Sequence, residues 1–126
     1  MQKEPQELTR DALFDGALML WQRKKGYRFG IDSVLLATDL PELPETATVL
    51  ELGAGQGAVA LTIAYKNPQM KVIALERQPG LASLLRQNVE ENGLANVEVI
   101  EGDLRQYRKI LPARAADLVI FNPPFY

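Results

Sequence analysis

From residue 48 onward, short apolar runs alternate with longer stretches in which apolar residues recur every three or four positions. The apolar runs predict four β-strands, at Val49–Leu52, Lys71–Leu75, Val97–Ile100 and Leu118–Phe121. The longer stretches predict two helices, at Ala58–Lys66 and Leu81–Asn92. Strands and helices that alternate with short connections form a parallel sheet covered by helices on both faces, so the predicted fold class is α/β. We expect the strand order 3-2-1-4.

The pattern before residue 48 is weaker and predicts a small accessory structure. The first dozen residues are polar and are expected to form a loose lead-in. Residues 17–21 are apolar, residues 22–26 have the composition of a turn, and apolar side chains resume at Tyr27. This arrangement predicts a short β-hairpin in which Gly26 adopts the positive φ that the turn requires.

A helix is expected after the hairpin, because Asp32 or Ser33 can cap the apolar stretch that follows. The helix runs from residue 34 to Leu40, and Pro41 ends it. The sequence therefore predicts two parts, an N-terminal lead-in of residues 1–46 (hairpin and helix) that packs on a core of residues 47–126.

The composition is that of a globular protein, with 126 residues of which 47% are hydrophobic and 24% are charged. No apolar run approaches the roughly 20 residues of a membrane span, and the first residues lack a secretory signal, so cytoplasm is the expected location. The chain has no Cys and no His, which removes thiol nucleophiles, imidazole bases and the usual zinc sites. We expect no metal.

A glycine-rich loop follows the first core strand, with the sequence Glu-Leu-Gly-Ala-Gly-Gln-Gly from Glu51 to Gly57. Glycines let the chain turn tightly and let a ligand approach the backbone at the start of the next helix. Taken loosely, the loop also fits the dinucleotide fingerprint. Glu51, the acidic residue inside the strand, suits the binding of an amino-acid ammonium group and would not help to bind a pyrophosphate.

Two further carboxylates fall where a nucleoside needs them. Glu76 ends the second core strand and can accept hydrogen bonds from two ribose hydroxyls. Asp103 follows the third strand and can accept one from an exocyclic amine of adenine. Both belong to the edge of the sheet where ligands of open α/β proteins bind.

The fourth strand runs into Asn122, Pro123, Pro124, Phe125 and Tyr126. Proline fixes its own φ and biases the preceding residue away from the helical region, so the carbonyls of this stiff turn point outward. Amide and carbonyl oxygens followed by a flat ring suit a planar amino group, which they can bind while the ring stacks on the base. The alternative is a Pro-Pro turn that only closes the strand.

The glycine-rich loop, Glu76, Glu101-Gly102-Asp103 and Asn-Pro-Pro-Phe together resemble the ordered motifs of class I S-adenosylmethionine-dependent methyltransferases that act on amino nitrogens. Gln22 and the segment from Gly26 to Ala37 are similar to the lead-in of the bacterial tRNA(Val) adenine-N6 methyltransferases, of the methyltransferase small-domain type. The resemblance implies a Rossmann-like class I methyltransferase fold, an enzyme, and S-adenosyl-L-methionine as cofactor. The implied reaction is N6-methylation of an adenine beside the tRNA anticodon.

The resemblance also implies roles for individual residues. The catalytic residues would be Asn122, Pro123, Pro124 and Phe125, where Asn122 and the Pro123 carbonyl accept the hydrogens of the target amine. The cofactor-binding residues would be Phe29, Asp32, Glu51, Leu52, Gly53, Ala54, Gly55, Gly57, Glu76, Arg77, Asp103, Leu104 and Asn122. The RNA phosphates would contact Arg23, Lys24, Lys25 and Arg28, although the net charge of the chain is −2.

Folds of this class continue beyond the Asn-Pro-Pro motif, so we expect the chain to be incomplete at its C-terminus, and whether it is active by itself stays open. Its fourth strand would then present a free edge through which copies could self-associate. Ribosomal RNA and a protein glutamine are alternative substrates. A NAD-dependent oxidoreductase and a non-catalytic module that binds cofactor or RNA are the alternatives of another class.

Overall fold

The computed structural model describes residues 7–25, 31–112 and 114–121. A two-stranded hairpin and one helix precede a four-stranded sheet with its connecting helices. The strands are β1 (Leu8–Leu13), β2 (Leu18–Arg23), β3 (Thr48–Leu52), β4 (Lys71–Glu76), β5 (Val97–Glu101) and β6 (Leu118–Phe121). The helices are α1 (Ile31–Thr38), α2 (Ala58–Lys66), α3 (Pro79–Glu91) and α4 (Tyr107–Ile110), and a 3₁₀ turn at Leu104–Gln106 precedes α4.

The main sheet is parallel, with the order β5-β4-β3-β6. This order confirms the predicted 3-2-1-4 arrangement of the core strands and the α/β fold class. The two central strands are almost wholly buried, which explains their continuous apolar sequence. In the register of the sheet, Glu51 lies opposite Ala74 and Ile120, and Glu76 lies opposite Glu101. All four carboxyl ends therefore meet at one edge.

The main core lies on the face of the sheet that α2 and α3 cover. Val49 and Val72 from the sheet, Ile63 from α2 and Leu18 and Leu20 from β2 are all buried there. Full burial of such a side chain stabilises the fold by about 1.5–3 kcal/mol. The hairpin is therefore part of the core, because its inner face shares this cluster.

The other face of the sheet is covered less completely. Leu50, Ile73 and Leu75 pack there against residues that include Ile110 of α4 and Leu111. Toward the β6 edge the side chains of Val119 and Phe121 are 53% and 58% exposed. Self-association through that edge stays a prediction.

The hairpin differs from the prediction in the strand that pairs with β2 and in its turn. The predicted strand at residues 17–21 corresponds to β2, and the predicted partner strand from Tyr27 lies outside the described residues. Leu8–Leu13 forms β1 and pairs antiparallel with β2, so these residues are no loose lead-in. The turn of this hairpin is at residues 14–17, where Gly16 has φ 89°. Gln22 and Arg23, which were predicted to begin a turn, belong to β2, and Gly26 lies outside the described residues. Every second residue of β1 is exposed, so the strand has the polar composition of a loop. The Asp15-Gly16 pair was the signal that could have located the turn.

The remaining predicted elements are present, with small shifts at their ends. Helix α1 begins at Ile31 and ends at Thr38, so Ser33 lies buried inside it and is not its cap. The short helical segment at residues 104–110 was not predicted, because two turns give too little apolar periodicity to detect. No helix in the described ranges has the length and apolar character needed to cross a membrane.

Candidate functional site

A cavity of about 730 Å³ opens at the carboxyl ends of β3, β4 and β5 and extends to the inner face of β2. Parallel strands place their carboxyl ends and the following loops at this edge, which is where open α/β sheets bind ligands. The predicted cofactor-binding residues that line the cavity are Glu51, Leu52, Gly53, Ala54, Gly55, Glu76, Arg77, Asp103 and Leu104.

The loop between β3 and α2 turns through glycines with positive φ. Gly53 has φ 68° and Gly55 has φ 60°, a region that glycine occupies without steric cost. A Cβ on Gly55 would meet no atom within 4 Å, and Gly55 lines the cavity. The loop therefore leaves room for a ligand to approach its backbone at Gly55.

Gly57 has a packing role instead. It has φ 104° and stands immediately before α2, as the N-cap residue of that helix. A Cβ at this position would lie 2.5 Å from Leu85 Cδ1 and 2.7 Å from Leu61 Cδ1, and Gly57 is not among the residues that line the cavity. Glycine is needed here because α3 packs closely against the start of α2.

The Glu51 carboxyl is buried at the end of β3, with 2% of the residue exposed. Its Oε1 has no hydrogen-bond partner among the described residues. Burial raises the pKa of Glu51 to about 8; the backbone N–H of Ala60 lowers this pKa and the Glu76 carboxylate raises it, each by less. A buried carboxyl oxygen without a partner is costly, so a cationic ligand group in the cavity would satisfy Oε1.

Glu76 at the end of β4 is held by two backbone donors. The Gly55 N–H donates to its Oε1 at 2.8 Å, and the Gln78 N–H donates to its Oε2 at 2.9 Å. Each carboxylate oxygen can accept more than one hydrogen bond, so Glu76 can fix the glycine-rich loop and still accept from a ligand hydroxyl.

Asp103 follows β5 and is engaged by Arg105. The Arg105 backbone N–H donates to Oδ1 at 2.9 Å, and the guanidinium Nη2 approaches Oδ2 at 2.6 Å. The side-chain and backbone hydrogen bonds from Arg105 lower the pKa of Asp103 to about 2. Asp103 is therefore an ionised acceptor on the wall of the cavity.

The N-terminal part contributes cavity residues that the site prediction omitted. Gln22 of β2 and Ser33 of α1 are buried and line the cavity together with Leu20. Gln22 Nε2 donates to Asp11 Oδ2 at 2.7 Å. The alternation of Leu18, Leu20 and Gln22 along β2 was the available signal, because it places one polar side chain on an otherwise apolar inner face.

Two of the cationic residues predicted to contact RNA line the cavity, and a third does not. Arg23 and Lys25 line the cavity, as does Arg77. Lys24 points elsewhere and pairs with Glu7, with 3.2 Å between its Nζ and the carboxylate Oε2. Three cations of the described chain therefore lie at a cavity whose other ionisable groups are carboxylates.

Some predicted site residues lie outside the described part of the chain. They are Arg28, Phe29, the side chain of Asp32, Asn122, Pro123, Pro124 and Phe125. The described chain ends at Phe121, which lines the cavity and approaches Gly53; a Cβ on that glycine would lie 3.6 Å from Phe121 Cε2.

The strand order, the glycine-rich loop and the carboxylates at successive strand ends define an open, Rossmann-like α/β protein with a cofactor-type site. Comparison with known proteins gives its family. The family described as "Methyltransferase small domain" matches residues 27–126, and the chain belongs to this family.

Relatives with different substrates match the chain at similar identity. The release factor glutamine methyltransferase of Geobacter sulfurreducens is 34% identical over 92 residues, which cover 73% of this chain and 31% of that protein. The tRNA1(Val) (adenine(37)-N6)-methyltransferase of Flavobacteriaceae bacterium (strain 3519-10) is 32% identical over 106 residues, covering 83% of this chain and 44% of the relative. The chain thus spans less than half the length of either relative.

Among solved structures, an RNA methyltransferase from Salinibacter ruber in complex with S-adenosyl-L-homocysteine is similar to the chain. Its TM-score is 0.63 at 25% identity, and the match covers 75% of this chain and 60% of that one. This likeness agrees with a Rossmann-like class I methyltransferase fold.

Proposed function

We propose that the chain is the cofactor-binding part of an S-adenosyl-L-methionine-dependent methyltransferase that acts on an amino nitrogen. The observation that carries the proposal is Glu51, a buried carboxyl at the glycine-rich loop whose Oε1 has no hydrogen-bond partner in the described part of the chain. S-adenosylmethionine offers an ammonium group that would pair with it. The pyrophosphate of NAD is an anion and offers no cationic group to this carboxyl.

The rest of the cavity supports the same cofactor. The backbone at Gly55 has open space in front of it, which suits the methionine end of the ligand. The anchored carboxylate of Glu76 would accept from the ribose hydroxyls, and Asp103 would accept from the adenine amine. The cavity of about 730 Å³ is in the size range of small-molecule sites.

When bound, the cofactor supplies an electrophilic methyl group. Asn122 and the Pro123 carbonyl would bind the two hydrogens of the target amine and aim its lone pair, while Phe125 stacks on the base. The proposal for these residues rests on their sequence and on Phe121, which lines the cavity immediately before them. Positioning of this kind needs no general base, so the absence of His is compatible with it.

We propose adenine N6 in tRNA as the substrate group. The cations Arg23, Lys25 and Arg77 at the cavity favour a substrate with phosphates, and one relative of the chain is a tRNA adenine-N6 methyltransferase. A glutamine side chain in a protein is the second candidate, supported by the release factor methyltransferase relative. Both targets present a planar NH₂ group, which the Asn-Pro-Pro-Phe motif would bind in the same way.

Calorimetry with S-adenosylhomocysteine and NADH tests the cofactor. We expect the first to bind and the second not to bind. Glu76→Ala should weaken binding by about 1.5–3 kcal/mol, the usual cost of losing a hydrogen bond to a charged group. NADH binding without a response to S-adenosylhomocysteine would refute the proposal. Mass analysis of tRNA and of release factors from a deletion strain distinguishes the two substrates.

A further inference from the structure

The outer edge of β2 is bonded to the side-chain amides of Asn88 in α3 and of Asn92, the C-cap residue of that helix, where a neighbouring strand would be expected. Asn92 Oδ1 accepts the Met19 N–H at 2.9 Å, and its Nδ2 donates to the Met19 carbonyl at 2.7 Å. Asn88 repeats the pattern with Trp21, at 2.8 Å for both bonds. The distance between residues four apart along a helix thus matches the distance between residues two apart along a strand.

The third side chain of this series belongs to the glycine-rich loop. The Arg23 N–H donates to the Gln56 side-chain oxygen, so alternate residues of β2 are bonded in turn to Asn92, Asn88 and Gln56. We call these three side chains the amide ladder. It joins the hairpin to the loop that lines the cavity.

Asn88 also reaches the loop itself. Its Nδ2 donates to the Gln56 carbonyl at 2.8 Å as well as to Trp21, and the residue is fully buried. One side chain therefore satisfies two backbone groups of the hairpin and one of the loop. An unsatisfied buried group costs about 1–3 kcal/mol, so the loop and hairpin conformations depend on each other.

We infer that Asn88 and Gln56 are positioning residues that couple the glycine-rich loop to the hairpin, so that cofactor binding and hairpin docking strengthen each other. The inference deepens the proposed function and rests on it, because the ligand at the loop is the proposed cofactor. Coupling between two sites is reciprocal. Cofactor bound at the loop would hold the end of β2 in place, and with it the cavity cations Arg23 and Lys25.

The sole tryptophan of the chain reports on this coupling. Trp21 is in β2, bonds to Asn88 and is not among the residues that line the cavity. We expect its fluorescence to change as S-adenosylhomocysteine is added to the 126-residue chain, with the same midpoint as the calorimetric titration. If the loop and the hairpin were not coupled, a ligand bound at the loop would leave the Trp21 signal unchanged.

The decisive comparison uses two near-isosteric variants. Gln56→Met removes the ladder bond at the loop, and Asn92→Leu removes the two bonds to Met19 at the far end of the same ladder. We expect Gln56→Met to raise the Kd of S-adenosylhomocysteine about 5- to 10-fold, at the lower end of typical coupling strengths. Because Gln56 also lines the cavity, the readout that isolates the coupling is the Trp21 response at saturating ligand, which the variant should diminish. Asn92→Leu should lower stability while the Kd and the Trp21 response stay close to wild type.

Equal shifts of the Kd in both variants would overturn the inference. They would show that the amide ladder stabilises the fold without coupling the loop to the hairpin. If Gln56→Met fails to fold, hydrogen exchange on the wild type decides. S-adenosylhomocysteine should slow exchange of the Trp21 and Arg23 amides more than that of Lys24, whose N–H bonds to the Glu7 carbonyl inside the hairpin. Equal slowing overturns the inference. A wild type that binds no S-adenosylhomocysteine refutes the proposed function first, and the inference with it.

Discussion

The Glu51 carboxyl is uncharged below its raised pKa and must ionise inside the protein above it. Its pKa is about 8 in the folded chain against an ordinary value of 4.5, so the folded state holds the proton more tightly. The stability that this group contributes is fully present below the pKa of Glu51 in the unfolded chain. It is lost as the pH rises toward the pKa of Glu51 in the folded chain. We expect the free energy of unfolding to fall between about pH 4.5 and 8, by at most about 1.4 kcal/mol per pH unit from this residue.

Urea unfolding across this pH range measures the effect, and Glu51→Gln is the control because it cannot ionise. As the pH rises, the free energy of unfolding of the wild type should fall relative to that of Glu51→Gln. A constant difference would contradict the assignment. Since an ammonium ligand favours the ionised carboxylate, cofactor binding should also release a proton near neutral pH, which calorimetry in buffers of different ionisation enthalpy detects.

Gly55 and Gly57 share the left-handed backbone region and differ in what surrounds them. Alanine at either position incurs about 1–2 kcal/mol of backbone strain. Only at Gly57 would the new methyl also overlap Leu85 and Leu61, which adds about 1–3 kcal/mol. Chemical denaturation should therefore show a larger loss for Gly57→Ala, whereas Gly55→Ala should chiefly weaken cofactor binding. Equal losses of stability would show that the packing at Gly57 relaxes easily.

At the scale of elements, the hairpin contributes to the core through one face only. Leu20 of β2 is 1% exposed, whereas Leu8 of β1 is 42% exposed. Leu20→Ala should destabilise the chain by about 2–5 kcal/mol, as buried leucine truncations do. Leu8→Ala in the same hairpin should stay within about 0.5 kcal/mol. Urea midpoints of the two variants test this, and similar values would mean that the hairpin is not docked in solution.

The predicted and observed elements agree where both faces of a segment are buried. Strands β3 and β4 were predicted to within a residue because their apolar runs leave no other interpretation. Strand β1 was missed because alternate exposure gives it the polar composition of a loop. The segment at residues 104–110 was missed because it is too short for periodicity to show.

For the whole molecule, the net charge of −2 makes RNA binding depend on local cations. Arg23→Gln with Lys25→Gln should weaken RNA binding and reduce its salt dependence, by a slope of about 0.7–0.9 for each phosphate that the variant no longer neutralises. Lys71→Gln is the matched control, because Lys71 begins β4 at the opposite end of the sheet and pairs with Glu98 at 3.0 Å. Filter binding at several salt concentrations measures both. An unchanged slope in the double variant would place the RNA elsewhere.

The sequence alone determined the α/β class, the strand order and the residues at the carboxyl edge, because strand and glycine patterns are local and parallel strands must end together. The sequence alone could not show whether a residue of the glycine-rich loop packs against a helix or faces the cavity. That Gly57 packs α3 while Gly55 faces the cavity depends on which atoms the fold brings near each Cβ. The amide ladder joins residues that are far apart in the chain, such as Trp21 and Asn88. Such pairings exist only after the hairpin docks, so only the tertiary structure decides them.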